Sequence, residues 1–413
     1  MNISDAERIS AVLESSSYQE TQNTNDADLI VVIMCSVRQS AVNRVHGLLQ
    51  KFNEIKIKNP KLKTVLTGCV LKKDKKKFTK GFDYVIDIKD IHKIPEFLGI
   101  KNKKITNEYL DIAPKYQNKF SVNVPIMTGC NNFCSYCVVP YTRDREVSRK
   151  SKNIVLEIKN ILRTNPPSPR LQRAREIWLL GQNVNSYKDG KTDFPKLLKM
   201  INDIPGDFWI RFTSSHPKDF SEKVIDAMAN YKKVTPYLNL PVQSGDDKIL
   251  KAMNRHYTVK EYKDKIKKLR KKIPDISIST DIIVGFPGET KKQFENTAKL
   301  FHEIKYDMAY INKYSPRPGT FAEKLKDNVS VKEKKRREKV LTEILKQTAL
   351  EKNKKLIGKE TLVLINENRD ENYFGKNEHY KTVKIKSNKN ILGKLAKVKI
   401  IEAEAFVLKG EII

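Results

Sequence analysis

Cys130-Asn131-Asn132-Phe133-Cys134-Ser135-Tyr136-Cys137, set behind the apolar run Val122–Met127, is the stretch on which the reading of this chain turns. Three thiols at CxxxCxxC spacing let one short loop wrap three irons of a 4Fe-4S cluster. The fourth iron then has no protein ligand and is open to a small molecule. Disulfides between cysteines this close would be badly strained. Zinc is the alternative, although it normally takes four ligands from paired CxxC elements.

Outward from this loop the chain alternates strand and helix. Strands are predicted at Asn123–Met127, Glu176–Leu180, Trp209–Thr213, Tyr237–Leu240, Ser277–Val284 and Met308–Lys313, with helices such as Ser221–Tyr231, Val259–Lys272 and Thr290–Ile304 between them. Six β/α repeats over residues 116–346 predict a partial (β/α)6 barrel, whose active site forms at the C-terminal ends of the strands. Upstream, residues 1–105 read as a doubly wound α/β domain: helix Ser4–Ser17, strand Asp28–Met34, helix Ser40–Asn53, then strands at Thr64–Thr67 and Tyr84–Ile88. Downstream, Val340, Leu341, Ile344, Leu345 and Ala349 form an apolar stripe on a charged helix. Residues 350–413 turn to short strands with Gly and Asn turns and predict a small C-terminal β-barrel. The proline-broken stretch Thr164–Arg170 lengthens one connection.

Composition narrows the function. The formal net charge is +31 over 413 residues, and residues 51–80 hold eleven lysines against two acids, so the surface attracts polyanions, nucleic acid foremost. Charge alone does not separate tRNA from DNA or membrane, and a lysine-rich solvated surface is the plain alternative. No apolar run approaches the ~18 residues of a membrane helix. The five cysteines, mostly in one motif, suit a reducing cytoplasm and metal ligation rather than a disulfide framework.

The segment Gly129–Arg143, ending Cys137-Val138-Val139-Pro140-Tyr141-Thr142-Arg143, resembles the cluster loop of the radical SAM methylthiotransferases. Further blocks agree in order: Leu179–Tyr187 (Leu-Leu-Gly-Gln-Asn-Val-Asn-Ser-Tyr), Arg211–Phe220 (Arg-Phe-Thr-Ser-Ser-His-Pro-Lys-Asp-Phe), Leu240–Gly245, Thr280–Thr290 and Tyr314–Thr320. The Gly-Gln-Asn-Val-Asn-Ser-Tyr and His-Pro-Lys-Asp-Phe blocks point to the MiaB type, which acts on isopentenyl-adenosine in tRNA. The resemblance spans nearly the whole chain and implies that the C-terminal barrel is of the TRAM type.

The resemblance implies a role for each matching residue. By it, Cys130, Cys134 and Cys137 hold a catalytic 4Fe-4S cluster, whose open iron chelates S-adenosylmethionine. Tyr136 lies against the adenine, or else covers the cluster from solvent. Gln182 and Asn183, with Asn185, bind the methionine end of the cofactor, and Ser214, Gln243 and Asp281 occupy corresponding strand ends. Gly285, Pro287 and Gly288 shape a loop under the adenine. His216 is a weak candidate for a general base. Arg143, Arg145, Arg149, Lys218 and Arg317 contact RNA phosphates. The resemblance also implies that Cys35 and Cys69, each at a strand end, ligate an auxiliary 4Fe-4S cluster. The family's third such cysteine lies in a Gly-Cys-Gln-Met-Asn segment, whereas this chain opens Met1-Asn2-Ile3-Ser4-Asp5, which implies a longer native protein whose first strand and remaining ligand precede residue 1. Asp144 stands where the family usually has Gly.

The implied function is methylthiolation at carbon 2 of N6-isopentenyl-adenosine beside the anticodon, by a cytoplasmic monomer. It would bind the tRNA anticodon stem-loop, take electrons from a flavodoxin or ferredoxin, and make no membrane contact. The alternatives are methylthiolation of threonylcarbamoyl-adenosine in tRNA, or an RNA-binding relative that cannot insert sulfur because an auxiliary ligand is absent.

Overall fold

The computed structural model describes residues 1–100, 108–118, 120–163 and 174–413. The stretch Thr164–Arg170 singled out above lies outside them. The chain divides into two compact units, and both are discontinuous in sequence. The first takes Met1–Gln117, Met127–Arg149 and Ser315–Lys324; the second takes Asn118–Ile126, Lys150–Tyr314 and Leu325–Ile413.

In the first unit three parallel strands lie in the order β1 (Leu29–Cys35), β2 (Lys63–Cys69), β3 (Tyr84–Val85). Successive side chains of a strand point to opposite faces. Leu29, Val31 and Ile33 accordingly pack with Ile9, Val12, Ile91 and Ile94 on one side. On the other side Ile30, Val32 and Met34 pack with Val42, Val45, Phe52 and Phe78. A continuous Leu-Ile-Val-Val-Ile-Met run is what a strand covered on both faces requires. The helices Asn2–Ser15 and Gln39–Lys58 supply the two covers.

In the second unit the barrel strands are β4 (Ser121–Pro125), β5 (Glu176–Leu180), β6 (Trp209–Phe212), β7 (Tyr237–Asn239), β8 (Ser277–Val284) and β9 (Met308–Lys313). They form two parallel three-stranded sheets, β4-β5-β6 and β7-β8-β9. A parallel bridge between Ile210 and Val234, just before β7, joins the two. In β8 (Ser-Ile-Ser-Thr-Asp-Ile-Ile-Val) Ile278, Ile282 and Val284 are buried.

The helix Val331–Lys354 buries Leu341, Ile344, Leu345 and Ala349, the stripe read from sequence. It leads into a closed barrel of β10 (Glu360–Arg369), β11 (Asn372–Asn377), β12 (Thr382–Lys386), β13 (Leu395–Ala403) and β14 (Val407–Ile412), in the order β10-β11-β12-β14-β13. Strand β11 is not in the sequence reading, because Asn-Tyr-Phe-Gly-Lys-Asn carries residues that strands disfavour. Its Gly375 is demanded by packing: a Cβ there would lie 2.4 Å from the Leu364 carbonyl oxygen.

The hairpin between β11 and β12 sits at the starts of the (β/α) strands. Arg211 donates to the carbonyls of Asn377 and Glu378 at 2.7 and 2.9 Å and to Thr235 Oγ1 at 3.0 Å, and is ion-paired with Glu176. Tyr380 packs on Trp178 and Tyr237, with centroids 5.0 and 4.6 Å apart. Lys381 reaches Asp307 at 2.6 Å. The C-terminal barrel is thereby latched to the base of the (β/α) strands.

Candidate active site

The thiol loop belongs to the first unit. A two-residue antiparallel ladder, Met127 with Ser148 and Thr128 with Val147, clamps its ends. Gly129, at φ +77°, opens it, and a Cβ there would lie 2.1 Å from the Arg145 carbonyl oxygen, so only glycine fits. The Cys130 amide donates to the Asp144 carbonyl at 3.2 Å, and the Cys137 amide to the Cys134 carbonyl at 2.9 Å. Asp144 itself sits at φ +60°, a left-handed conformation that Asp tolerates better than most residues. Asn132 Nδ2 lies 3.7 Å from Cys130 Sγ, and burial pushes the Cys130 thiol up. Tyr136 is half-buried within the loop.

None of the three cysteines is in a disulfide, and each is half-buried. Among the described residues no three His, Cys, Asp or Glu side chains converge on a single-ion centre. A 4Fe-4S cube spreads three thiolates over three different irons, and a half-buried loop triad outside any disulfide fits that group.

Cys35 and Cys69 lie in the same unit. They are register partners at the ends of adjacent parallel strands, so the sheet itself sets two thiols side by side. Gly68 before Cys69 has φ +101°, and a Cβ there would lie 2.4 Å from the Met34 carbonyl oxygen. Arg143 Nε lies 3.0 Å from Cys69 Sγ, and its Nη2 pairs with the buried Asp5 carboxylate. Asp5 in turn accepts from the Tyr109 hydroxyl.

These contacts correct the phosphate-contact expectation for three arginines. Arg143, Arg149 and Arg317 are buried. Arg149 lies 3.7 Å from Asp111, and Arg317 bonds Gln39 and lies 3.6 Å from Asp74. Carboxylates, an amide and a thiol hold these guanidinium groups away from a surface where a nucleic-acid backbone would lie. Arg145 and Lys218 are exposed, Arg145 with its guanidinium 4.2 Å above the Phe133 ring. Nothing in the order of residues separates the two groups, because burial comes from segments remote in sequence.

The strand-end residues belong to the second unit. Gln182 and Asn183 follow β5, Ser214 follows β6 at φ +63°, and Gln243 follows β7 at φ +69°. The Gln243 amide donates to the Asp281 carbonyl at 2.8 Å, extending the β7–β8 pairing, and Asn239 Nδ2 donates to the Asp281 carboxylate at 3.2 Å. The two loops after β5 and β6 are sewn together. Asn183 Nδ2 donates to Asp219 at 2.7 Å, and Asn185 Oδ1 accepts from the His216 amide at 3.1 Å. Even so, Gln182 Oε1, Asn183 Oδ1, Asn185 Nδ2, Ser215 Oγ and His216 Nε2 are buried without a hydrogen-bond partner. Leaving such atoms unmatched costs ~1–3 kcal/mol each. A mixed set of donors and acceptors fits the amino and carboxylate groups of an amino acid, the methionine end of S-adenosylmethionine. Ser215 is not singled out by the sequence; only its orphaned hydroxyl exposes it.

His216 is buried, with Nε2 lacking a hydrogen-bond partner. Its Nδ1 accepts from the Lys218 amide at 3.2 Å, so the neutral ring carries its proton on Nε2. Burial, then the charges of Arg255, Lys218 and His256, push its pKa down to about 2. At neutral pH the ring is therefore uncharged and offers a hydrogen bond from Nε2.

A parallel-stranded barrel with a three-thiol loop defines a radical SAM protein, and the Radical SAM superfamily model matches residues 124–301. Residues 1–88 match the Uncharacterized protein family UPF0004, and residues 354–413 match the TRAM domain. A tRNA-2-methylthio-N(6)-dimethylallyladenosine synthase from Clostridium botulinum (strain Hall) is 41% identical, the match covering 100% of this chain and 94% of that protein. Proteins of the same description from Thermoanaerobacter sp. (strain X514) and Caldicellulosiruptor saccharolyticus are 40% and 39% identical, each over 100% of this chain and 90% of the relative. Among solved structures, the apo form of the cobalamin-dependent S-adenosylmethionine radical enzyme OxsB shares the fold at TM-score 0.50 and 11% identity, covering 84% of this chain and 49% of that one. The chain belongs to the MiaB-type radical SAM methylthiotransferases. Membership implies an iron–sulfur cofactor and S-adenosylmethionine. No helix among the described residues is long and apolar enough to cross a membrane.

Proposed function

We infer that the protein is an enzyme that converts N6-isopentenyl-adenosine beside the anticodon of tRNA to its 2-methylthio derivative. The observation that carries this is identity of about two residues in five, over the whole chain, with proteins described as performing it, joined to a triad of cysteines at CxxxCxxC spacing in the loop after β4.

When bound, the cluster on Cys130, Cys134 and Cys137 supplies the electron that cleaves S-adenosylmethionine and so the radical that takes hydrogen from carbon 2. The chain's own residues bind and orient. Gly129 and Asp144 hold the loop in a conformation that most side chains would strain. Gln182, Asn183, Asn185 and His216 offer matched acceptors and donors to the methionine end of the cofactor without placing a net charge beside it. Ser214, Gln243 and Asp281 extend the polar strand ends, and Tyr136 stands against the adenine. Cys35 and Cys69 supply two ligands of a second cluster, the sulfur source. Arg145 and Lys218 contact RNA phosphates, and the TRAM barrel and basic surface hold the anticodon stem-loop. The protein acts in the cytoplasm as a monomer and is reduced by a flavodoxin or ferredoxin.

Nucleoside analysis of tRNA from a strain lacking the gene tests the reading. The 2-methylthio derivative should vanish, with isopentenyl-adenosine accumulating, and return on complementation. Loss of methylthio-threonylcarbamoyl-adenosine instead would assign the other tRNA substrate.

A further inference from the structure

We propose that Arg143 and Arg317 form a guanidinium cradle that hydrogen-bonds the sulfur atoms of an anionic iron–sulfur group held at Cys35 and Cys69, and so sets its reduction potential. The inference rests on the second-cluster reading above and adds residues to it.

Both arginines are buried in the first unit, which costs free energy unless an anion answers them. The anions present fall short. Arg143 spends Nε on Cys69 Sγ and Nη2 on Asp5, which leaves Nη1 buried without a hydrogen-bond partner. Arg317 bonds Gln39 through Nη1, while Nε and Nη2 have no hydrogen-bond partner, Nη2 standing 3.6 Å from Asp74. Asp74 in turn accepts from Ser36 Oγ at 3.3 Å, and Ser36 is the residue after Cys35. Three buried N–H-bearing nitrogens are therefore left over around two thiols set side by side by strand register.

Sulfur fits this arrangement better than oxygen does. Cys69 Sγ already accepts the Nε hydrogen bond, and an iron–sulfur group presents several weakly basic sulfur acceptors over the volume of a cube. A guanidinium fork directs up to five donors in one plane, which suits several acceptors on one face. Hydrogen bonds to cluster sulfurs stabilise the more negative, reduced state, so they raise the potential. Arg143 lies six residues beyond Cys137. Assembly of the thiol loop therefore also positions a donor to the dithiol.

The test uses the full chain with Cys130, Cys134 and Cys137 changed to Ala, purified and reconstituted without oxygen, so that only iron at Cys35 and Cys69 remains. Arginine labelled with nitrogen-15 in its guanidinium, read by pulsed electron paramagnetic resonance on the reduced group, should give hyperfine coupling without changing either arginine. Arg143→Gln and Arg317→Gln should each shift the potential negative, leaving about tenfold less of the group reduced at a fixed ambient potential, or 59 mV for one electron. Arg143→Lys should restore part of the shift, and exposed Arg145→Gln should cause none. Retained iron with no nitrogen-15 coupling and unchanged potentials would overturn the cradle and leave the second cluster standing. Loss of all iron from this variant, when the unaltered protein carries it, would overturn both.

Discussion

The two ends of the (β/α) strands use the same strands and treat polar groups in opposite ways. At the strand starts Arg211 and Glu176 are buried and matched. Arg211 bonds three oxygens besides Glu176, and Glu176 accepts from the Trp178 indole at 2.8 Å as well as from Ser121. At the strand ends Gln182, Asn183, Asn185, Ser215 and His216 each keep a buried atom without a partner. Ser214 and Gln243 there also hold left-handed backbone. A saturated network stabilises the fold, whereas an unsaturated one persists where a ligand completes it. The same strands thus carry matched polar groups at one end and unmatched ones at the other.

The contrast breaks most visibly at Arg211. Arg211→Met leaves the Glu176 carboxylate buried with one charge partner gone and frees the two hairpin carbonyls. We expect a loss of about 3–5 kcal/mol, read as a lower melting temperature of the isolated protein. A melting curve like that of the unaltered chain would sink the latch.

Gln182→Leu should do the reverse. Its lost oxygen has no partner to forfeit, so the melting temperature should hold or rise. S-adenosylmethionine affinity, measured by equilibrium dialysis on the iron-loaded protein, should fall about 10–100-fold, the worth of a hydrogen bond to a charged group. Lowered stability with unchanged affinity would place Gln182 with the structural set.

His216 sharpens the comparison through pH. Its folded pKa is depressed to about 2 from an ordinary 6.5, so between those values the unfolded chain binds the extra proton. Its contribution to stability is complete above pH 6.5 and is lost as pH falls toward 2. His216→Gln should flatten the decline of melting temperature between pH 6.5 and 4, without displacing any activity limb near pH 6.5. An activity limb that disappears with the histidine would restore it as a base.

The smallest effect is expected at the surface. Lys218→Gln removes one exposed cation and should weaken tRNA binding modestly, lowering the salt slope of log K by about one. No change in slope would remove Lys218 from the RNA path.

Much of the architecture was legible because it is local. Glu176–Leu180, Ser277–Val284, Met308–Lys313 and Val259–Lys272 lie where apolar patterning and end signals place them. The Val259–Lys272 helix has its capping box, Thr258 with Glu261, as a start signal. Strand β11 was not legible, since its pairing with β10 and β12 overrides poor local preference. Among site residues, the thiols could be read from spacing and family likeness, while the arginines could not be sorted. A guanidinium looks the same in sequence whether it meets phosphate, carboxylate or sulfur.

By itself the sequence determined the thiol triad, because a loop of eight residues carries three ligands within reach of one another whatever the rest of the chain does. It also determined the alternation of strands and helices, which follows from side-chain period. Tertiary structure alone decided that Cys35 and Cys69 stand side by side, since parallel register and not spacing brings them together. It alone turned Arg143 and Arg317 inward and left donors and acceptors unmatched at one end of the barrel. Burial and hydrogen-bond completion belong to the packed whole, and no run of residues encodes them locally.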